Sequence, residues 1–278
     1  MKFFYFRQSS GLLFRTTYAI DSTKADILVF GSSRANHHYV PEIFEDSLNG
    51  TFYNTGRDGN FILYNYAIFK TIIQRYQPKL IIMDINPEEL EFNANTYERL
   101  SSLLPYSRDH KEIRSITALR SPWEKIKLFS SVYPYNSLLL TIAVGNLEYN
   151  RNRKPDIKGY VPVFRKMKNE KVDTIQVEYG FPDRNKINAL SQIINICKQQ
   201  KIQLLFVRSP VYSIIHDKYF NNIISDLCSE YKVNYFDLSN QEIFITSPAW
   251  YVDRNHLNDE GARVFSNLVV NCIKGTGS

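Results

Sequence analysis

Asp26-Ile27-Leu28-Val29-Phe30-Gly31 is a compact apolar run, rich in β-formers and closed by a glycine. Apolar character without alternation is how a strand covered on both faces reads. Lys79-Leu80-Ile81-Ile82-Met83-Asp84-Ile85, stopped by Asn86-Pro87, and Ile202-Gln203-Leu204-Leu205-Phe206-Val207, stopped by Ser209-Pro210, repeat that character. Thr51-Phe52-Tyr53-Asn54-Thr55, ending at Gly56, and a weaker run from Val233 to Asp237 bring the predicted strands to five. Three- and four-residue spacing of apolar positions predicts helices between them over 61–76, 185–200, 214–231 and 262–273. The last follows Asn258-Asp259, residues suited to an N-cap. Strand and helix alternate, which implies parallel strands joined by right-handed crossovers. The fold class is therefore α/β, a three-layer α/β/α sandwich with a central parallel sheet.

One interval breaks that rhythm. From Pro87 to Asp183 there is no buried strand pattern, only helix-like pieces over 88–100, 108–119 and 122–130 and an irregular basic stretch. That stretch holds Arg151, Arg153, Lys154, Lys158, Arg165, Lys166, Lys168 and Lys171 against Asp156 and Glu170. A connection of this length within a compact domain is a small subdomain or a functional flap. No repeat and no clean linker divides the chain, so 1–278 reads as a single domain with 87–183 inserted.

Composition narrows the class. With 44% apolar and 22% charged residues, 11 Gly and 11 Pro, the chain is neither collagenous, disordered nor a disulfide miniprotein. The net charge of +6 is mild and no Lys/Arg block forms a nucleic-acid arm, so no nucleic-acid partner is expected. Cys197, Cys228 and Cys272 are too far apart for a metal or redox pair and sit in apolar-periodic stretches, as packed free thiols do. The longest apolar run, Leu138 to Val144, is broken by Thr141 and falls short of the ~18 residues of a membrane span. Met1 to Arg7 has charge and aromatic residues but no leader h-region or cleavage site, so the chain as written reads as soluble.

Three segments carry candidate chemistry. Val29-Phe30-Gly31-Ser32-Ser33-Arg34 places a serine one or two residues past the carboxyl end of the first strand, where open α/β sheets hold their sites. Asp253-Arg254-Asn255-His256 sets an aspartate and a histidine three residues apart before the last helix. Such a carboxylate fixes the ring tautomer and frees the other nitrogen to take a proton from a serine. Asn54-Thr55-Gly56-Arg57-Asp58-Gly59-Asn60 closes the second strand, and its glycines let backbone N–H groups approach an anion or a developing oxyanion. Taken singly, each is equally a turn or a helix cap.

Together and in this order, the three resemble the SGNH/GDSL hydrolase superfamily. Gly31-Ser32-Ser33-Arg34 is similar to its first block, and that register makes Ser33, not Ser32, the candidate nucleophile. Asp253 and His256 match the Asp-x-x-His block, and Gly59 matches the oxyanion glycine, with Gly56 as the nearby alternative. The resemblance covers 26–86 and 185–273 and is closest to envelope-associated, polysaccharide-modifying members of the AlgX/AlgJ-like and DltD-like kind. It implies a flavodoxin-like sheet, a Ser-His-Asp triad and a carbohydrate O-acyl (acetyl) esterase or acyltransferase of the cell envelope, whose partner is an acylated carbohydrate or other small ester. A catalytically weakened glycan- or partner-binding protein and a lipase or thioesterase are the alternatives. The family's third block, Gly-x-Asn-Asp, is absent. Its asparagine would fall near Glu88, and Asn86 is the candidate replacement. Loss of one oxyanion donor costs ~3 kcal/mol, or 10²–10³ in rate.

The remaining signals are weaker. His37-His38 with Glu42 has the spacing of a metal pair but lacks a third ligand, so no metal is expected. The adjacent histidines are expected at the pocket rim or in solvent. No phosphate loop or dinucleotide fingerprint appears, so no cofactor is implied. The 19 Tyr and 18 Phe suit stacking on sugar rings, though most belong to the core. The basic 151–171 stretch reads as a solvated loop or a guide for an anionic polymer.

Overall fold

The chain enters through two helices, α1 (Lys2–Phe6) and α2 (Gly11–Asp21), before the first buried run forms β1 (Ile27–Phe30). Two helices, α3 (Ser33–His38) and α4 (Pro41–Leu48), lead to β2 (Phe52–Asn54), and α5 (Ile62–Ile72) leads to β3 (Leu80–Asp84). The interval after β3 holds α6 (Ala94–Glu98), α7 (Lys111–Thr117), α8 (Glu124–Lys127) and α9 (Leu139–Asn146), joined by 3-10 turns, and then an exposed strand, β4 (Asp173–Gln176). α10 (Arg184–Gln199), β5 (Gln203–Arg208), β6 (Ser213–His216), α11 (Tyr219–Tyr231) and β7 (Asn234–Asp237) follow. The chain finishes with α12 (Glu242–Ile245), a hairpin of β8 (Tyr251–Asp253) and β9 (His256–Leu257), and α13 (Asp259–Gly275). The computed structural model describes all residues except 150–155, 169, 178–179 and 277–278. Arg151, Arg153 and Lys154 of the basic stretch therefore lie outside the described residues.

Five strands form one parallel sheet in the order β2-β1-β3-β5-β7. Leu28 pairs with Ile81 and Ile81 with Leu204, so apolar positions line up across the three central strands. Successive side chains of a strand point to opposite faces, and here both faces are covered. Leu28, Phe30, Ile81, Met83, Leu204 and Phe206 pack on one side with Ile68 and Ile72 of α5, Ile193 of α10 and Ile224 of α11. Ile27, Val29, Ile82, Leu205 and Val207 pack on the other with Phe44 of α4 and Phe265 and Val269 of α13. Each such side chain contributes roughly 1.5–3 kcal/mol when fully buried. The three-layer α/β architecture is thus present, and β1, β3 and β5 lack alternation because neither face meets water, whereas the edge strand β7 is partly exposed.

The 87–183 interval contributes Leu100, Leu103, Tyr106, Ile113 and Tyr135 to the first of these cores. One expectation fails nearby. The helix read over 214–231 begins only at Tyr219, because Ile214 and Ile215 belong to β6, which pairs with β4. The side chain of Asn240 accepts from the Ile215 N–H and donates to its carbonyl, both at 3.1 Å. A side chain remote in sequence thus satisfies a strand edge, which helical spacing cannot reveal.

The sheet order places β1 at the turning point, since the chain passes from β1 to β2 on one side and then to β3 and β5 on the other. Crevices at such points, beyond the carboxyl ends of the strands, are where these sheets bind ligands. The turn after β1 stands there. Gly31 is required in it: a Cβ would lie 2.7 Å from both the Asp84 carbonyl oxygen and the Ala35 Cβ.

Candidate active site

Ser33 is the first residue of α3, with Ser32 as its N-cap, so the turn after β1 delivers the Ser33 hydroxyl to the sheet rim. His256 arrives from the other end of the chain on the β8–β9 hairpin, held in front of α13 by the Asn258 side chain, which accepts from the Gly261 N–H at 3.1 Å. The Ser33 Oγ and His256 Nε2 are 2.7 Å apart. On the far side of the ring, His256 Nδ1 lies 2.9 and 3.1 Å from the two Asp253 carboxylate oxygens. Nδ1 facing a carboxylate carries the proton, which leaves Nε2 as the acceptor for the serine hydroxyl.

Asp253 is itself held. Its Oδ1 accepts the backbone N–H groups of Asn255 and His256 at 2.9 and 3.1 Å, a three-residue turn closed on the side chain. Partial burial pushes its pKa up, but the Asn255 N–H, the neighbouring His256 charge and the His256 hydrogen bonds outweigh it. The carboxyl sits below its ordinary range as a result. The spacing Asp-x-x-His is thus a structural device, since the turn that brings the two side chains together also fixes the ionised form of the acid.

A cavity of about 370 Å³ opens over these groups, lined by Ser33, His37, Asp58, Gly59, Val163, Val252, Asp253 and His256. Gly59 has φ +67°, a left-handed conformation that favours glycine, and a Cβ there would press on the Arg99 guanidinium. Among the described residues, neither the Ser33 nor the Gly59 backbone N–H donates to a backbone acceptor. Backbone donors of this kind, lining a cavity with a serine hydroxyl, are what an oxyanion site requires. Asn86 is not in the cavity wall. Its Nδ2 donates to Glu88 Oε2 at 3.3 Å, so the two residues of the altered third block engage one another. Of the residues singled out from the sequence, the structure brings together Ser33, His256, Asp253 and Gly59, and leaves Asn86 and Gly56 outside the cavity lining.

Several contributors had no role in the sequence reading. Asp58 projects into the cavity wall, where its Oδ1 accepts from Asn36 Nδ2 at 2.7 Å and lies 3.3 Å from His37 Nε2. Burial raises its pKa, but the hydrogen bond and charge of His37 and the Asn36 amide bring it to about 2. Arg15 of α2 steadies the arrangement by donating to Asn36 Oδ1 at 2.6 Å. Asp58 stood within the quoted Asn54–Asn60 segment; nothing in sequence marks Arg15.

The adjacent histidines divide. His37 lines the cavity as expected of a rim residue, its Nδ1 2.6 Å from the Val161 carbonyl. His38 is fully buried instead of solvent-facing, and its Nε2 accepts the Leu257 N–H at 2.9 Å. Burial, aided by the charges of His256 and Arg34, holds His38 well below the usual histidine range, so it stays neutral and able to accept. It ties the helix that begins at Ser33 to the strand that carries His256. With His37 on Val161, His38 on Leu257 and Glu42 on Arg263, the spacing that suggested a metal pair serves three separate partners. A larger cavity of about 610 Å³, walled in part by Phe14, Tyr18 and Tyr53, contains none of the triad.

No protein-family model and no curated protein matches the chain. Solved structures similar to it include a proposed acylhydrolase from Bacteroides fragilis, with a TM-score of 0.45 and 12% identity over 90% of this chain and 86% of that one. The psychrotrophic esterase EstA from Pseudoalteromonas sp., in a structure inhibited by monoethylphosphonate, gives 0.47 and 8% over 90% and 96%. An acetyl xylan esterase gives 0.43 and 13% over 90% and 98%.

Proposed function

We propose that the chain is a serine esterase of the SGNH type that removes or transfers a short acyl group on carbohydrate. The observation that carries this reading is the continuous relay Ser33 Oγ–His256 Nε2 and His256 Nδ1–Asp253 within one open cavity. In the proposed reaction His256 takes the Ser33 proton as the oxygen attacks the ester carbonyl. The Ser33 and Gly59 N–H groups receive the charge that develops on the carbonyl oxygen. His256 then hands the proton to the leaving alcohol, and the acyl-serine passes to water or to a sugar hydroxyl by the reverse sequence.

One feature suits a polyol better than a fatty chain. The Asp58 carboxylate stands in the cavity wall, more than half exposed beside its Asn36 and His37 partners, and can still accept hydroxyls, whereas a long alkyl chain would desolvate it. The second reading is a weakened member that binds glycan, and a specific observation favours it: Asn86 pairs with Glu88 and is not among the residues that line the cavity. A fluorophosphonate probe with an acetyl-ester assay separates the two. The esterase reading expects probe labelling and turnover that Ser33→Ala lowers by at least about 10³-fold. Absence of labelling, or undiminished turnover in Ser33→Ala, overturns it in favour of the binding module.

A further inference from the structure

Large apolar side chains that stand exposed are unevenly placed among the described residues. Thirteen of the twenty-one fall in 1–12 and 119–149, less than a sixth of the chain. Several stand nearly free of the surface: Phe129 is 88% exposed, Leu147 79%, Leu140 78%, Phe3 69% and Trp123 64%. A monomer in water rarely concentrates apolar area in this way without a use for it.

The two segments are neighbours in the fold, tied together by direct contacts. Asn146 Nδ2, at the end of α9, donates to the Phe4 carbonyl of α1 at 2.8 Å, and the Tyr5 and Tyr135 rings meet at 5.7 Å. Arg108 donates to the carbonyls of Leu128 and Phe129 at 2.9 and 3.3 Å, which fixes the turn from which Phe129 protrudes. Basic side chains are interleaved with the apolar ones. The two segments carry Lys2, Arg7, Arg120, Lys125 and Lys127 against Glu124 and Glu148; Lys2 pairs with Asp109, and Arg120 and Lys127 pair with the buried Glu124. Arg7 lies over the Phe3 and Phe4 rings at 5.4 and 5.8 Å, and Lys125 is exposed with no acidic partner among the described residues.

We propose that this surface docks the protein onto the anionic face of a lipid bilayer, with Trp123, Phe129, Leu140 and Phe3 entering the acyl boundary and Arg7 and Lys125 meeting phosphate headgroups. Isolated protruding side chains need a medium that closes around them, and a fluid bilayer does so without a matching pocket. Aromatic and basic residues together are the pairing that the headgroup region accepts. Among the described residues no helix is long and apolar enough to cross a membrane.

The test is co-sedimentation of the full chain with vesicles of phosphatidylcholine alone and with about a third phosphatidylglycerol. Binding to the anionic vesicles is expected, at least tenfold weaker to the neutral ones and in high salt. A Phe129→Asp/Leu140→Asp variant should lose at least tenfold while its thermal unfolding stays unchanged, and Lys125→Glu should weaken binding in the same direction. The emission of Trp123 should shift to the blue on anionic vesicles, a shift that Trp123→Phe removes. No binding to either vesicle overturns the proposal, as does binding that the apolar variant leaves intact. So does a chain that self-associates without lipid and becomes monomeric in that variant, which would make a second copy the occupant.

Discussion

Replacing Asp253 by Asn tests the triad at its most informative bond. The substitution keeps the shape of the side chain, and an amide oxygen can still accept the Asn255 and His256 N–H groups that Oδ1 now takes at 2.9 and 3.1 Å. What changes is one of the two oxygens facing His256 Nδ1: the one at 3.1 Å becomes an amide nitrogen, while Oδ1 at 2.9 Å stays an oxygen. A side-chain amide nitrogen facing it would donate, Nδ1 would become an acceptor, and the ring proton would move to Nε2, where it blocks acceptance from Ser33. In a buried triad this error costs about 10⁴ in kcat. The Asp253 side chain is 49% exposed, so solvent screens the part of that loss due to charge and leaves the part due to the tautomer. The expected loss is about 10²–10³ in kcat, roughly 3–4 kcal/mol, with KM nearly unchanged. Steady-state hydrolysis of a chromogenic acetate from acid to alkaline pH, with thermal unfolding as the control for folding, measures it. An Asn variant within threefold of the parent across that range would refute the relay, whatever the distances between the groups.

His38→Leu removes the acceptor of a buried N–H and should cost about 1–3 kcal/mol of stability, read by denaturant unfolding, together with a fall in kcat larger than any rise in KM. The same histidine predicts a pH effect. Its folded pKa is depressed, so protons bind the unfolded chain more readily, and stability is lost as pH falls below the ordinary value of 6.5. His38→Gln should flatten that acid limb; an unchanged limb would mean that another group causes it. Asn86→Ala should alter kcat less than about threefold, because Asn86 is not in the cavity wall. A loss of 10²–10³ would instead make it an oxyanion donor.

Much of the architecture was legible because the strands are buried on both faces. Runs such as Ile27–Phe30 and Leu80–Met83 must be continuously apolar to sit between two helical layers, and that demand is visible without coordinates. The cluster of Ser33, His256 and Asp253 was legible for a different reason. Asp253 and His256 share one turn, so their spacing alone makes a hydrogen bond available, and Ser33 follows a glycine that the turn after β1 needs. The short helices α3 and α4 and the strand β6 were not visible, since each is too brief for a period to develop and each is stabilised by distant groups such as Asn240.

By itself the sequence determined which segments had to be buried and which side chains could exchange a proton, because both depend on neighbours along the chain. Only the tertiary structure decided which of two adjacent histidines faces the cavity, where Asp58 points, and that Asn86 turns to Glu88. Those outcomes depend on contacts across more than a hundred residues in some cases, as with His37 and Val161 or His38 and Leu257, and no local pattern encodes them. The 223-residue gap between Ser33 and His256 is closed by the folding of the whole sheet and the hairpin before α13, which is why those side chains meet only in the assembled molecule.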